Sequence, residues 1–322
     1  MPDFSSVIAA LVEMGPFQYR ANHGNIGDLF IDVATRQLFL RCGLHPQNGP
    51  HHHLVYGGGG RFVPFYGSLD KQKEELTAPS VERCIILPHS FYQADSFVRA
   101  LDGRHLVFCR EQRSLDYCRS LNKRAQFLPA DDMALHFNPA ALLKEVTACG
   151  CRPASWVNDT EKRLKTAVQE SSFTIFRKGI FVNAAFLPRR GDESVLPEEL
   201  LLGQDLSDLW NGWGDGTLQQ AFLIQALLSA LSELDILISD RLHICIAGLF
   251  AGCHVFLLDN NYGKLSGVYQ QSLQWHPRAR QLSLAELSEA FPEIFPETRN
   301  LSSPPVFCRH GGGTENEINS GA

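Results

Sequence analysis

The sequence predicts an α/β protein of two domains built on parallel, doubly wound sheets. Three observations carry the α/β part of that prediction. Short apolar runs alternate with helical stretches along most of the chain. Polar or glycine-rich clusters follow the apolar runs, as they do at strand ends in parallel, doubly wound sheets. The length, 322 residues, suits two domains of about 150 residues each.

The elements follow in order. Residues 5–14 read as a short amphipathic helix. In FQYRANHGNIGDLFIDVATRQLFLRCG a turn over Asn22–Gly27 leads into a helix that starts near Asp28 and ends before Gly43. Phe30, Ile31, Val33, Ala34 and Leu38 give that helix an apolar stripe, and Asp28 suits its N-terminus. LVYGGGG reads as a buried strand running into a four-glycine turn, Gly57–Gly60. RCIILPHSF is a strand ending in a loop. HLVFCREQRSLDYCRSL is a strand, a polar turn and a helix, and AQFLPADDMAL repeats strand and polar loop. The strand ends therefore hold Gly57–Gly60, His89–Ser90, Arg110–Glu111 and Asp131–Asp132.

The stretch 147–165 is polar without a clear period, and the inter-domain connection is placed there. The expected domains are 1–150 and 151–305, with a flexible tail over 306–322. In the second domain GIFVNAAFL is a strand followed by the charged turn Pro188–Glu193. Residues 217–234 form an apolar-rich helix. DILISD is a strand, LHICIAGLFAG a buried helix, and CHVFLLDN a strand ending at Asp259, Asn260 and Asn261.

Composition narrows the function classes. Hydrophobic residues make up 44% and charged residues 20%, as in soluble globular proteins. A formal net charge of -6 argues against a nucleic-acid partner, so an anionic substrate needs a local basic cluster. The nine cysteines contain no CxxC pair. Only Cys149 and Cys151 are close, and free thiols of a reduced compartment are favoured over a redox pair or soft-metal site. The N-terminus carries Asp3 and Glu13, lacks a basic n-region and does not read as a secretory signal. No window reaches the roughly 18 apolar residues of a membrane span. The expected location is the cytoplasm, or the inner membrane face if the acceptor is lipid-linked. The run His51–His53 reads as a solvated loop, because consecutive side chains point in different directions, and no metal is expected.

The densest chemistry lies in residues 238–269. A strand delivers Ser239, Asp240, Arg241 and His243 to the start of an apolar helix. Helix N-termini attract anions, and Arg241 and His243 add positive charge there. Lys264 follows the next strand, so three cationic groups are expected to face one crevice. In the bland alternative Asp240 pairs with Arg241 and His243 only caps the helix. The Gly57–Gly60 run lacks GxGxxG spacing and no Walker lysine follows it. A close backbone approach to a ligand and a plain turn both stay open.

The 238–269 segment resembles the C-terminal signature of polysaccharide pyruvyl transferases: S-D-R-L-H, an apolar helix, then D-N-x-Y-x-K. Gly24-Asn25-Ile26-Gly27-Asp28 resembles that family's G-N-x-G-D. Arg110-Glu111-Gln112-Arg113-Ser114 resembles its R-E-x-x-S, and Pro129-Ala130-Asp131-Asp132-Met133-Ala134 its P-D-x-A element. Arg189, Arg190 and Asp192 loosely echo the family's charged strand end in the second domain.

The resemblance implies two Rossmann-like domains facing a cleft in a GT-B-like arrangement, the first on the acceptor side with part of the donor site, the second on the donor side. It implies phosphoenolpyruvate as donor, a sugar of a polysaccharide or lipid-linked glycan as acceptor, and no cofactor. The family's arginines carry over to Arg110 and Arg241 and its histidine to His243, lining the donor pocket. The catalytic candidates are His243, Arg241, Asp28 and Glu111. The binding candidates are Asn25, Gly27, Gly58, Gly59, Arg110, Ser114, Asp240, Leu242, Asn260 and Lys264.

The residue types suit the chemistry. Guanidinium groups bind carboxylate and phosphate in bidentate fashion. Ketal formation needs a proton for the methylene carbon, a base for the attacking hydroxyl and cations on the leaving phosphate. His243 is an acid or a phosphate ligand; Asp28, Glu111 and Asp240 are candidate bases. The alternative function is a GT-B glycosyltransferase using a nucleotide sugar. A non-enzymatic glycan binder is opposed by the retained Arg110, Arg241, His243 and Lys264. Replacing Arg241 by Ala is expected to abolish transfer and leave the fold intact.

Overall fold

The computed structural model describes residues 4–22, 24–49, 52–177, 179–188, 196, 200, 205–210 and 217–295. Arg189, Arg190, Asp192, His51 and the 306–322 tail lie outside them. The first part of the chain contains α1 (Ser5–Met14), β1 (Gln18–Arg20), α2 (Ile26–Arg41), β2 (His53–Tyr56), β3 (Gly59–Phe62), α3 (Asp70–Leu76) and β4 (Arg83–Phe91). It continues with α4 (Asp95–Ala100), β5 (His105–Cys109), α5 (Gln112–Leu121), β6 (Gln126–Pro129) and α6 (Pro139–Ala148). Its sheet runs β1-β2-β4-β5-β6, with β3 also beside β4, and every pairing is parallel.

The second part contains α7 (Ser155–Glu170), β7 (Ser172–Arg177), β8 (Ile180–Phe186), α8 (Thr217–Leu231) and β9 (Ile236–Ser239). After these come α9 (Leu242–Ala251), β10 (His254–Leu258), α10 (Lys264–Val268), β11 (Ala279–Leu282) and α11 (Leu284–Ala290). This sheet runs β11-β10-β9-β8-β7 and is parallel except for the β7/β8 hairpin. The α/β class with parallel sheets and flanking helices is thus observed.

Three local expectations change. Residues 147–165 are largely helical. Val157, Thr160, Leu164, Ala167 and Val168 of α7 are buried at three- and four-residue spacing, but the polar solvent face hides the stripe in the sequence. Strand β7 went unread beside β8. Finally, Gly57–Gly60 is a step between two strands and not a plain turn. The chain leaves β2 at Tyr56 and re-enters the sheet as β3, so the first half of β4 pairs with β2 and its end with β3. A Cβ at Gly57 would stand 2.9 Å from the Asn22 nitrogen, and one at Gly58 3.0 Å from the Pro88 oxygen. Gly59 has φ +140°, which L side chains rarely adopt.

The core explains why α2 and α9 are apolar on nearly all sides. One buried cluster joins α1, α2 and one face of the first sheet to α7, α8, α9 and one face of the second. Strand alternation divides the faces: Ile85 and Leu87 of β4 enter this cluster, while Cys84 and Ile86 enter another beneath α3, α4 and α5. A Cβ at Gly248 of α9 would overlap Leu237 of β9, so that glycine permits close helix–strand packing. Gly252, in the left-handed region, ends α9. Among the described residues no helix is long and apolar enough to cross a membrane.

Candidate functional site

Arg110 leaves the end of β5 and is fully buried. Its Nε donates to Ser90 Oγ at 2.8 Å and its Nη1 to Asp132 Oδ2 at 2.6 Å. Nη1 also lies 3.3 Å from His243 Nε2. Nη2 is buried and has no hydrogen-bond partner among the described residues. Two hydroxyls brace this arrangement. Ser90 Oγ donates to Glu111 Oε2 at 3.0 Å, and Ser114 Oγ donates to the other Glu111 oxygen. Ser114 also accepts from the Phe91 nitrogen at 2.6 Å. Its hydroxyl is thus engaged inside the protein, a finding that weighs against the substrate contact expected of it.

The second sheet contributes His243, in the first turn of α9. Its Nε2 is 3.5 Å from Asp132 Oδ2, so one carboxylate oxygen serves both Arg110 and His243. The start of α2 lies against the same ring. Asn25 caps α2 by accepting from the Gly27 nitrogen at 2.9 Å. A Cβ at Gly27 would stand 2.8 Å from His243 Nδ1, and one at Gly24 would overlap Asp28. A Cβ at Gly59 would be 3.3 Å from Asp28 Oδ1, and one at Gly60 3.3 Å from Arg110 Nη2. Glycines from two loops therefore leave room around the polar heads of Asp28, His243 and Arg110.

The environment separates three carboxyls. Burial alone would raise Asp132, but Arg110 and His243 outweigh it and hold the group well below the ordinary carboxylate range. Burial raises Asp28, and His243, Arg110 and Lys264 only partly offset it. Burial also raises Glu111, against Arg110 and the hydroxyls of Ser114 and Ser90. One carboxylate is thus a fixed anion, while two are poised to exchange protons closer to neutrality.

The other expected residues divide. Lys264, the first residue of α10, is buried, with its ammonium 5.6 Å from the Tyr262 ring. Its charge acts on both Asp28 and Glu111. Asn260 accepts from the Lys264 nitrogen at 2.8 Å, and its buried Nδ2 has no hydrogen-bond partner among the described residues. Arg241 caps α9 and turns to Asp205, donating from Nε at 2.7 Å and also from Nη2, with Asp208 at 3.5 Å. Its ion-pair partner is therefore Asp205 rather than Asp240, which is buried nearby in sequence. The side chain of Leu242 packs into the core, which leaves its backbone at the start of α9 for any contact with substrate. Gly58 packs against the β4 backbone and Met133. His89 stands at a strand end, yet its ring packs on Phe62 at 4.5 Å and burial lowers its pKa to about 3.

Further contacts tie the sheets together. Arg113 Nη1 donates to the Tyr262 carbonyl at 2.5 Å, Gln271 Nε2 to the Ala130 carbonyl at 2.9 Å, and Ser272 to Asp131. Sequence reasoning gave no role to Ser90 or Arg113 and did not choose between Asp131 and Asp132. Asp205 carried no motif at all. A cavity of about 480 Å³ near the ends of β10 and β11 is lined by Asp259, Gln281, Ser283 and Glu286. It shares no lining residue with the Arg110–His243 cluster. His52 lies on an exposed loop, 3.1 Å from the Ser80 oxygen and 3.6 Å from Glu82. Among the described residues no group of three or more His, Cys, Asp or Glu is arranged to hold a metal.

A family model described as polysaccharide pyruvyl transferase matches residues 25–262. The match spans Asp28, Arg110, Asp132 and His243. No curated protein matches the chain. The crystal structure of a functionally uncharacterised protein of Klebsiella pneumoniae is similar, with a TM-score of 0.62 and 24% identity. The likeness covers 87% of this chain and 96% of that one, and it speaks for the fold alone.

Proposed function

Because the chain belongs to the polysaccharide pyruvyl transferase family, we propose that it moves pyruvate from phosphoenolpyruvate onto two hydroxyls of a sugar in a polysaccharide or lipid-linked glycan. The product is a pyruvate ketal, and phosphate is released. The observation that carries this reading is the buried Arg110, whose Nη2, beside Gly60, has no hydrogen-bond partner among the described residues. A buried donor left unpaired costs free energy. A donor carboxylate or phosphate oxygen would relieve that cost.

In this reading Arg110 and Lys264 meet the anionic groups of the donor. Arg241 joins them by exchanging part of its pairing with Asp205. His243 gives a proton to the methylene carbon, and positive charge develops at C2. One sugar hydroxyl attacks C2 and passes its proton to Asp28. The C2–O bond to phosphate then breaks, its electron pair leaving with phosphate. Asp28 hands its proton to the departing phosphate, the second hydroxyl closes on C2, and its proton passes through the emptied carboxylate back to His243. Asp28, raised by burial, is a stronger base than an ordinary carboxylate. Glu111, held at both oxygens by hydroxyls, positions Arg110. Asp132 orients Arg110 and His243.

We read residues 1–150 and 151–305 as two halves facing one another in the GT-B manner. The contacts of Arg110 with His243 and of Arg113 with Tyr262 support that reading, since each joins a strand end of one sheet to the other half. With a lipid-linked acceptor the enzyme would work at the inner membrane face. The nucleotide-sugar alternative finds no support in the family match.

The test is a thermal-shift titration with phosphoenolpyruvate beside a panel of nucleotide sugars. Phosphoenolpyruvate should raise the melting temperature of the wild type and not that of Arg110→Lys, which keeps the charge but loses the fork. A rise with nucleotide sugars alone, or an undiminished phosphoenolpyruvate shift in the variant, would overturn the reading.

A further inference from the structure

Strand β3 runs into a short turn at Pro64–Tyr66, which opens on proline and closes on Gly67 at φ +81°. Arg61 pins the turn from below. Its Nη1 donates to the Tyr66 carbonyl at 2.6 Å and its Nη2 to the Ser68 carbonyl at 2.8 Å. The backbone is thus firmly held, yet Phe65 and Tyr66 are 37% and 40% exposed. The Phe65 ring lies nearly parallel to Tyr262, at 5.6 Å and 24°, and Tyr262 lies on Tyr92 at 5.3 Å and 17°. These rings come from the loops after β3, β10 and β4, so the stack spans both sheets.

The stack adjoins the unpartnered nitrogen. A Cβ at Gly60 would stand 3.3 Å from Arg110 Nη2 and 3.9 Å from Tyr66 Cε2. The aromatic surface and the expected donor position are therefore separated by little more than one glycine. We propose that Phe65 and Tyr66, backed by Tyr262, form the platform on which the pyranose ring of the acceptor stacks. The proposal rests on the pyruvyl-transfer reading and adds where the sugar sits. Rigid aromatic rings offer apolar contact at low entropic cost, which suits the C–H face of a pyranose. A ring seated there would present its hydroxyls toward Arg110 and His243. Two side chains on a three-residue turn offer far less than the roughly 800 Å² that each partner buries in a standard protein interface, so a sugar ring fits the surface better than a protein.

The experiment is saturation-transfer NMR on the full chain with methyl β-galactopyranoside and methyl α-mannopyranoside, with phosphoenolpyruvate present. Wild type should bind at least one glycoside. Phe65→Leu, which keeps apolar volume but removes the ring, should bind it about tenfold more weakly. Tyr66→Ala should do the same, and circular dichroism checks that both variants are folded. The melting-temperature rise with phosphoenolpyruvate should be unchanged in Phe65→Leu. Equal glycoside binding in wild type and both folded variants would overturn the platform, as would no binding of either glycoside by the wild type. Loss of the phosphoenolpyruvate shift in the wild type would instead strike the donor reading, whatever the glycosides do.

Discussion

Arg110 and Arg241 occupy matching places, each where a strand hands over to a helix, one in either sheet. Their surroundings differ. Arg110 is fully buried, gives Nε to Ser90 and Nη1 to Asp132, and leaves Nη2 without a partner. The Arg241 side chain is 11% exposed and commits both Nε and Nη2 to Asp205. One guanidinium keeps a buried donor in reserve; the other already spends two of its nitrogens on a carboxylate. Position at a strand end supplies a cation, and only the local counter-ions decide how much of it is available.

The largest expected effect follows from Arg110→Ala. It strands the Asp132 carboxylate in the interior, which costs about 3–5 kcal/mol, and it abolishes transfer. Urea denaturation and turnover check both, and a stable, active variant would break the comparison. Arg241→Ala should cost about 1.5–3 kcal/mol, because Asp205, whose side chain is 2% exposed, loses its charged donors. Adding Asp205→Ala should restore most of the stability but none of the transfer. If transfer returns as well, Arg241 is only a tie.

Gly27→Ala sharpens the contrast, since it acts on the Arg110 side alone. Its Cβ pushes on His243 and should lower transfer about 10²-fold, with the melting temperature little changed. Single-turnover kinetics beside a thermal melt would show whether the damage is confined to chemistry.

The effect that is smallest at neutral pH tests how dry the Arg110 side is. Burial lowers the His89 pKa to about 3, while the unfolded chain takes up that proton near 6.5. Between those values the unfolded state binds more protons, so stability rises with pH. It should fall by about 1.4 kcal/mol per unit as the pH drops from 6.5 toward 3. Asp132 adds to the loss at lower pH: its depressed folded pKa gives stability that is present above the unfolded value and lost as pH falls through the folded one. His89→Phe should flatten the His89 part of the slope, and denaturant curves at pH 5 and 7 would reveal an unchanged slope.

Much of this was legible in the sequence. Strand–helix alternation predicted the parallel sheets, and the starts of α2 and α9 followed from Asn25, Asp28 and the apolar run after His243. What escaped depended on tertiary placement. Asp131 and Asp132 are identical in type and adjacent, but one faces Ser272 and the other Arg110. The sequence does not show that Ser90 and Ser114 both donate to Glu111. Asp205 lies in a stretch without motif, and only folding brings it to Arg241. Helix α7 was missed because its buried stripe is narrow and its exposed face dominates the composition.

The shared core around α2 has a consequence for how the molecule comes apart. Val55, Ile85 and Phe108 of the first sheet and Leu237, Val255 and Leu257 of the second belong to one buried cluster, with α2, α8 and α9 between them. Prying the halves apart would bare apolar surface on both. Topologically the chain has two sheets, but their shared core leads us to expect a single melting transition, in which the Arg110–His243 contact disappears together with the core that holds it.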